Sequence, residues 1–204
     1  MIVERLNGIA RAVPTWVVYL ALFLPAPVLV WQGATGALGV EPIKELEHAL
    51  GEIALQLLIA GLAVTPLRRY LVVNLLRFRR AIGLMAFFYV AAHLLVWLVL
   101  DVQILGQIWA DILKRPYITV GMAGFVLLVP LALTSNTWSV RRLGPGWRKL
   151  HRLTYVAALL GGLHFVMLVK GFQIEPLVYL GVTLGLLALR WPGVALPGRS
   201  RRAV

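Results

Sequence analysis

Hydrophobic side chains run along the chain in six long blocks separated by short polar or turn-forming breaks. Each block is long enough, or nearly so, to cross about 30 Å of hydrocarbon at about 1.5 Å per helical residue. The blocks are Val13 to Gln32, Glu47 to Pro66, Ala81 to Leu100, Tyr117 to Ser135, Leu150 to Lys170 and Ile174 to Arg190. The breaks fall at Pro66 followed by Arg68 and Arg69, at Asp101, at Pro116, from Arg141 to Pro145 and at Gly171, all of them turn, stop or charge signals. Most of the seven tryptophans stand near block ends, where amphipathic rings sit at a membrane interface. The pattern predicts an all-α membrane protein, a six-transmembrane-helix bundle forming one domain over residues 1–204, with 192–204 as a flexible tail. The first block is longer than the apolar core of a usual signal peptide, which predicts an uncleaved first helix.

Composition agrees with a chain that uses the bilayer as part of its solvent. Sixty per cent of residues are hydrophobic and 14% charged, and mean hydropathy is +0.85, which excludes an ordinary soluble enzyme. The net charge of +12 would suggest nucleic acid in a soluble protein, but its distribution says otherwise. If the six blocks alternate across the membrane, sixteen basic residues and the single acid Glu4 fall on one face; four basic and seven acidic residues fall on the other. Lysine and arginine gather in short cytoplasmic segments, so both termini are expected in the cytoplasm. The basic excess is then expected to contact anionic membrane lipid, with no nucleic acid as partner. The absence of cysteine excludes disulfides, iron–sulfur clusters, thiolate metal sites and covalently attached haem.

The chain has only four histidines, His48, His93, His151 and His164, and all lie in or beside apolar blocks, where polar side chains are costly. His93 stands seven residues before the outer end of the third block and His164 six residues before that of the fifth, so both lie about 10 Å below the outer boundary. Two imidazoles at matching depth on different helices can supply both axial nitrogens of a b-type haem; histidines bonded separately to neighbouring groups are the other reading. Tyr89, His93 and Trp97 recur at helical spacing and offer either aromatic walls for a flat macrocycle or ordinary packing. Gly161 and Gly162 offer close approach, to the macrocycle or to another helix. His151 precedes His164 by 13 residues, about 20 Å along a straight helix. It cannot share their iron, and could hold a second haem, contact a flavin or quinone, or lie in the interface. His48, Glu52 and Gln56 form a polar stripe at the start of the second block. Arg77, Arg79, Arg80 and the segment from Arg148 to Arg152 are candidates to receive an anionic donor such as the phosphate of FMN, although topology alone also explains their charge.

A bare zinc site has no third ligand at the depth of the histidine pair and no H-E-x-x-H spacing. No GxGxxG, P-loop or separate soluble domain is present to carry a nucleotide, so electrons must come from another protein, a free reduced flavin or a quinol. Two rivals to an electron-transfer subunit serving one partner remain: a cytochrome b anchor for another reductase, and a proton-coupled transporter using Glu52, Gln56 and the histidines as a polar path.

Several segments carry a resemblance to a known family. They are Gly39-Val40-Glu41-Pro42-Ile43-Lys44 leading to Leu46-Glu47-His48, and Ala63-Val64-Thr65-Pro66-Leu67-Arg68. Further along come Phe87-Phe88-Tyr89 with His93, Arg115-Pro116-Tyr117-Ile118-Thr119-Val120-Gly121, and Leu131-Ala132-Leu133-Thr134-Ser135. The last is Trp147-Arg148-Lys149-Leu150-His151-Arg152-Leu153-Thr154-Tyr155 followed by His164. In order and spacing, over nearly the whole chain, they resemble the MsrQ family (formerly YedZ) of haem-binding membrane subunits, within the ferric-reductase-like transmembrane group. The resemblance implies an inner-membrane b-type cytochrome that passes electrons to the periplasmic molybdopterin enzyme MsrP, which repairs methionine sulfoxide in proteins. It also implies FMN binding and a quinol or a cytosolic flavin reductase as donor. His93, His151 and His164 fall on the family's haem-associated positions and His48 on a further recurring histidine. Sulfoxide chemistry itself is expected to belong to the partner.

Overall fold

The structure, a computed structural model, describes residues 2–169 and 171–190; Lys170 and the expected tail at 192–204 lie outside the described residues. The described chain is helical with no strand: α1 (Ile2–Ala12), α2 (Thr15–Phe23), α3 (Pro25–Ala34), α4 (Pro42–Leu71), α5 (Arg79–Val96), α6 (Leu105–Lys114), α7 (Pro116–Leu133), α8 (Thr137–Leu143), α9 (Pro145–Leu150), α10 (Leu153–Leu168) and α11 (Ile174–Ala188). Among the described residues, five stretches are long and apolar enough to cross a membrane: Thr15–Ala34, Pro42–Leu71, Leu76–Val102, Pro116–Leu133 and Pro145–Leu168. The sixth expected span, α11, has 15 residues, about 22 Å of helix, and packs along α4 and α10.

α4 lies at the centre. It packs along α5, while α10 packs along α7, and a core of Leu50, Leu62, Ala86, Tyr89, Ala157 and Ala158 fills the space between them. Small residues at four of the α4, α5 and α10 contacts, Ala54, Ala86, Ala157 and Ala158, let backbones approach closely, as helices must when lipid offers no hydrophobic drive between them. Trp16, Leu95, Val126 and Val182 remain exposed on the outside, a surface suited to acyl chains rather than water.

Several boundaries differ from the expected ones for identifiable reasons. Pro66, read as the end of the second span, lies inside α4, which continues to Leu71. A proline has no N–H for the carbonyl four residues earlier; that carbonyl, Leu62 O, accepts instead from Nε of Arg190 at 3.2 Å and from Nη2 of the same side chain. The carbonyl that the proline frees is therefore not left without a donor. Asp101 does not stop the third span either, because a π-helical turn over Trp97–Val102 carries it on to Gln103, whose φ of 60° ends it. The fifth span is not straight: α9 and α10 meet at His151, where the chain turns, so an ideal-helix angle between His151 and His164 does not apply. α6, an amphipathic helix in the outer connection, is too short to register as a membrane block.

Arg77, grouped in the sequence with a candidate donor site, donates to the carbonyls of Ala10 at 3.0 Å and Arg11 at 2.6 Å. With Asn7, which exchanges hydrogen bonds with Val72 O and Asn74 N, it ties α1 to the connection between α4 and α5.

A histidine pair seated on two glycines

His93, on α5, and His164, on α10, face each other with ring centroids 6.2 Å apart and planes crossed at 77°. The Nδ1 of His93 lies 2.8 Å from the carbonyl oxygen of Glu47, and that of His164 lies 2.7 Å from the carbonyl oxygen of Tyr117. A carbonyl can only accept, so each Nδ1 carries the proton and donates, and each neutral ring keeps its lone pair on Nε2. This is how proteins prepare a histidine for a metal: the second nitrogen is tied to an acceptor, which sets tautomer and ring orientation.

Both rings rest on a glycine. A Cβ on Gly51 would lie 3.0 Å from the His93 Nδ1, and a Cβ on Gly121 only 2.8 Å from the His164 Nδ1. In each case the glycine follows the residue whose carbonyl accepts the bond by four positions, Glu47 to Gly51 on α4 and Tyr117 to Gly121 on α7. Absence of a side chain at the glycine lets the imidazole approach the helix one turn above that carbonyl. The same seat is thus built twice, on α4 with α5 and on α7 with α10. Sequence reasoning paired the histidines but missed both glycines; the signal available was the separation of 42 residues from Gly51 to His93 and 43 from Gly121 to His164.

The pair opens into a cavity of about 640 Å³, the size of pockets that hold cofactors. Leu55, Leu58, Val90, Met122, Phe125 and Leu128 supply apolar wall, and Gly161 and Trp97 line it as well. Its mouth carries Glu47, Glu52, Asp101 and Glu175 with Lys44, Arg115 and His48. Arg115, just outside α7, donates to the Tyr117 hydroxyl at 3.2 Å and pairs with Asp111 at 3.2 Å; the bond to Tyr117 and nearby Asp111 and Asp101 raise its pKa from the ordinary value. Glu52 accepts from Gln56 and from Tyr179 of α11, both at 2.8 Å, and Gln56 also donates to Tyr179 at 2.8 Å. The polar stripe expected at His48, Glu52 and Gln56 is therefore closed by a tyrosine that no local pattern indicated.

The remaining candidates go elsewhere. Tyr89 is fully buried and donates to Leu22 O at 2.8 Å; it lies in the core, while His93 and Trp97 line the cavity. Gly162 packs against Leu180. His151 stacks on Trp147 with centroids 3.9 Å apart, and its Nε2 lies 3.0 Å from the Thr134 hydroxyl. Arg79, Arg80 and Arg148 are all exposed, and Arg79 also lines a second cavity at the opposite end of the bundle.

The helix bundle with its facing histidine pair has the character of a membrane redox component, and the family model described as "Ferric reductase like transmembrane component" matches residues 48–162. Three relatives are named protein-methionine-sulfoxide reductase heme-binding subunit MsrQ. That of Agrobacterium fabrum is 49% identical, covering 92% of this chain and 89% of its own. That of Rhizobium meliloti is 53% identical, covering 92% and 85%, and that of Brucella anthropi is 46% identical, covering 93% and 86%. The chain belongs to the MsrQ family of ferric-reductase-like transmembrane components, which makes it a multi-pass protein of the bacterial inner membrane. No solved structure matches it.

Proposed function

We propose that this chain holds one haem b between His93 and His164 and passes electrons outward across the membrane. The observation that carries the reading is the pair of imidazoles whose Nδ1 protons are donated to Glu47 and Tyr117 carbonyls while both Nε2 lone pairs remain for a metal. His93 and His164, with ring centroids 6.2 Å apart, are the residues that would hold the haem iron. Among the described residues no cluster of three or more His, Cys, Asp or Glu side chains could hold a bare metal, whereas two imidazoles beside a large apolar cavity would suit an iron carried by a flat apolar macrocycle. A haem bound there supplies one-electron redox chemistry. The protein's part is to fix both rings in one tautomer, to keep water from the apolar wall, and to offer a polar mouth at the outer end. Lys44, paired with Glu41 at 2.8 Å, and Arg115, paired with Asp111 at 3.2 Å, are the cations at that mouth.

The relatives' name joins this reading to methionine-sulfoxide repair. The acceptor is then the periplasmic molybdopterin enzyme MsrP, where the sulfoxide is reduced, so that this subunit performs electron transfer without oxygen-atom chemistry of its own. The donor is quinol or a cytosolic flavin reductase, with FMN as a carrier, reaching the basic end where both termini are expected. A reduced-minus-oxidised absorption spectrum of the detergent-purified chain, with haem quantified per polypeptide, tests this: one haem with a b-type spectrum is expected, and a folded, colourless protein overturns it in favour of a transporter.

A further inference from the structure

At the end of the bundle opposite the histidine pair, a separate cavity of about 290 Å³ is lined by Thr65, Pro66, Arg69, Arg79, Tyr155, Leu189 and Arg190. Three arginines line it: Arg69 near the end of α4, Arg79 as the first residue of α5 and Arg190 two residues past the end of α11. Among the described residues neither Arg79 nor Arg190 has a carboxylate partner, and by the charge distribution the only acid expected on this face is Glu4.

Arg190 is held rigidly. Its Nε and Nη2 donate to Leu62 O, its Nη1 donates to the Tyr155 hydroxyl at 3.0 Å, and its guanidinium lies 5.1 Å from the Tyr155 ring centroid. Three of its five N–H groups are thereby used and two remain, on a fork already ordered before any ligand arrives. The Tyr155 hydroxyl, accepting from Arg190, still has its own proton to donate. Like charges gathered in one concavity repel unless an anion joins them. Arg79, the two unused N–H groups of Arg190 and the Tyr155 hydroxyl present more donors than the two oxygens of a carboxylate can take, which suits the several acceptor oxygens of a phosphate.

We propose that this cavity binds a phosphate group. At this depth the chemistry is shared by the headgroup of an anionic phospholipid and by a soluble phosphate. The proposal does not depend on the histidine pair, so it survives or fails separately from the haem reading.

The test uses the full chain in nanodiscs. In discs of phosphatidylcholine alone, inorganic phosphate is titrated by calorimetry; in discs that also contain phosphatidylglycerol, the phosphatidylglycerol retained after release is counted by native mass spectrometry. Arg79→Gln is compared with Arg68→Gln, which removes the same charge from an exposed position on α4 outside the cavity. Arg79 is chosen because Arg190 also serves the backbone of α4. Saturable binding about tenfold weaker in Arg79→Gln, and unchanged in Arg68→Gln, is expected. Response to inorganic phosphate identifies a soluble ligand; retention of phosphatidylglycerol alone identifies the headgroup. Equal losses in both variants, or no saturable binding in either arm, overturn the proposal.

Discussion

The two ends of α10 present histidine in opposite ways. At the outer end His164 gives its Nδ1 proton to a backbone carbonyl and leaves Nε2 for a ligand, in a seat that α4 and α5 repeat for His93. At the other end His151 engages Nε2 with the Thr134 hydroxyl and stacks on Trp147, whose own Nε1 donates to Thr134 O at 2.9 Å. The difference teaches that membrane depth and residue type do not assign a role; which ring nitrogen is already occupied does. His151 is built into the α9–α10 turn through Nε2, while the other two rings are tied to the backbone through Nδ1 alone.

The sharpest way to break this contrast is to remove the rings. His93→Ala and His164→Ala should each abolish haem retention, whereas His151→Ala should retain it, as read by pyridine haemochrome quantification; full haem in either outer variant would end the pairing. The glycine seats come next. Gly121→Ala should lose most of its haem and Gly51→Ala a smaller share, because the added carbon meets the ring at 2.8 and 3.0 Å respectively. Gly83→Ala, on the same bundle with nothing within 4 Å, should load normally, and equal loading of all three would show that the seats are not tight. The smallest effect belongs to the inner histidine. Thr134→Val removes the hydroxyl's hydrogen bonds to His151 Nε2 and to Pro130 O and should lower stability by about 1–2 kcal/mol, a shift in thermal midpoint without change in haem content.

The comparison also shows what a one-dimensional reading can reach. Equal depth brought His93 and His164 together because depth is a linear count along helices of known rise. The partners of each ring were not legible, since Glu47 and Tyr117 contribute backbone carbonyls and any residue type carries one. Gly51 and Gly121 resembled ordinary small residues of membrane helices. Tyr179 closes on Glu52 and Gln56 across 127 and 123 residues of chain, beyond any local pattern. Arg77 and Tyr89 were grouped by charge and by periodicity, and each is instead claimed by a nearby helix end or carbonyl. The helical class and most of the spans were readable because the bilayer sets their length. The turn at His151 was not, because its cause is a three-dimensional contact between Trp147, Thr134 and the imidazole.

One consequence follows from the proline within α4. Pro66 frees Leu62 O and Arg190 takes it, so the two positions form a genetic pair 124 residues apart. Arg190→Gln alone leaves a carbonyl without its donor and should cost about 1–3 kcal/mol. In a Pro66→Ala background the helix regains its own N–H at that site, and the same arginine change should cost markedly less. Thermal unfolding of the four combinations would measure this epistasis; strict additivity would mean that each position is maintained for a different reason.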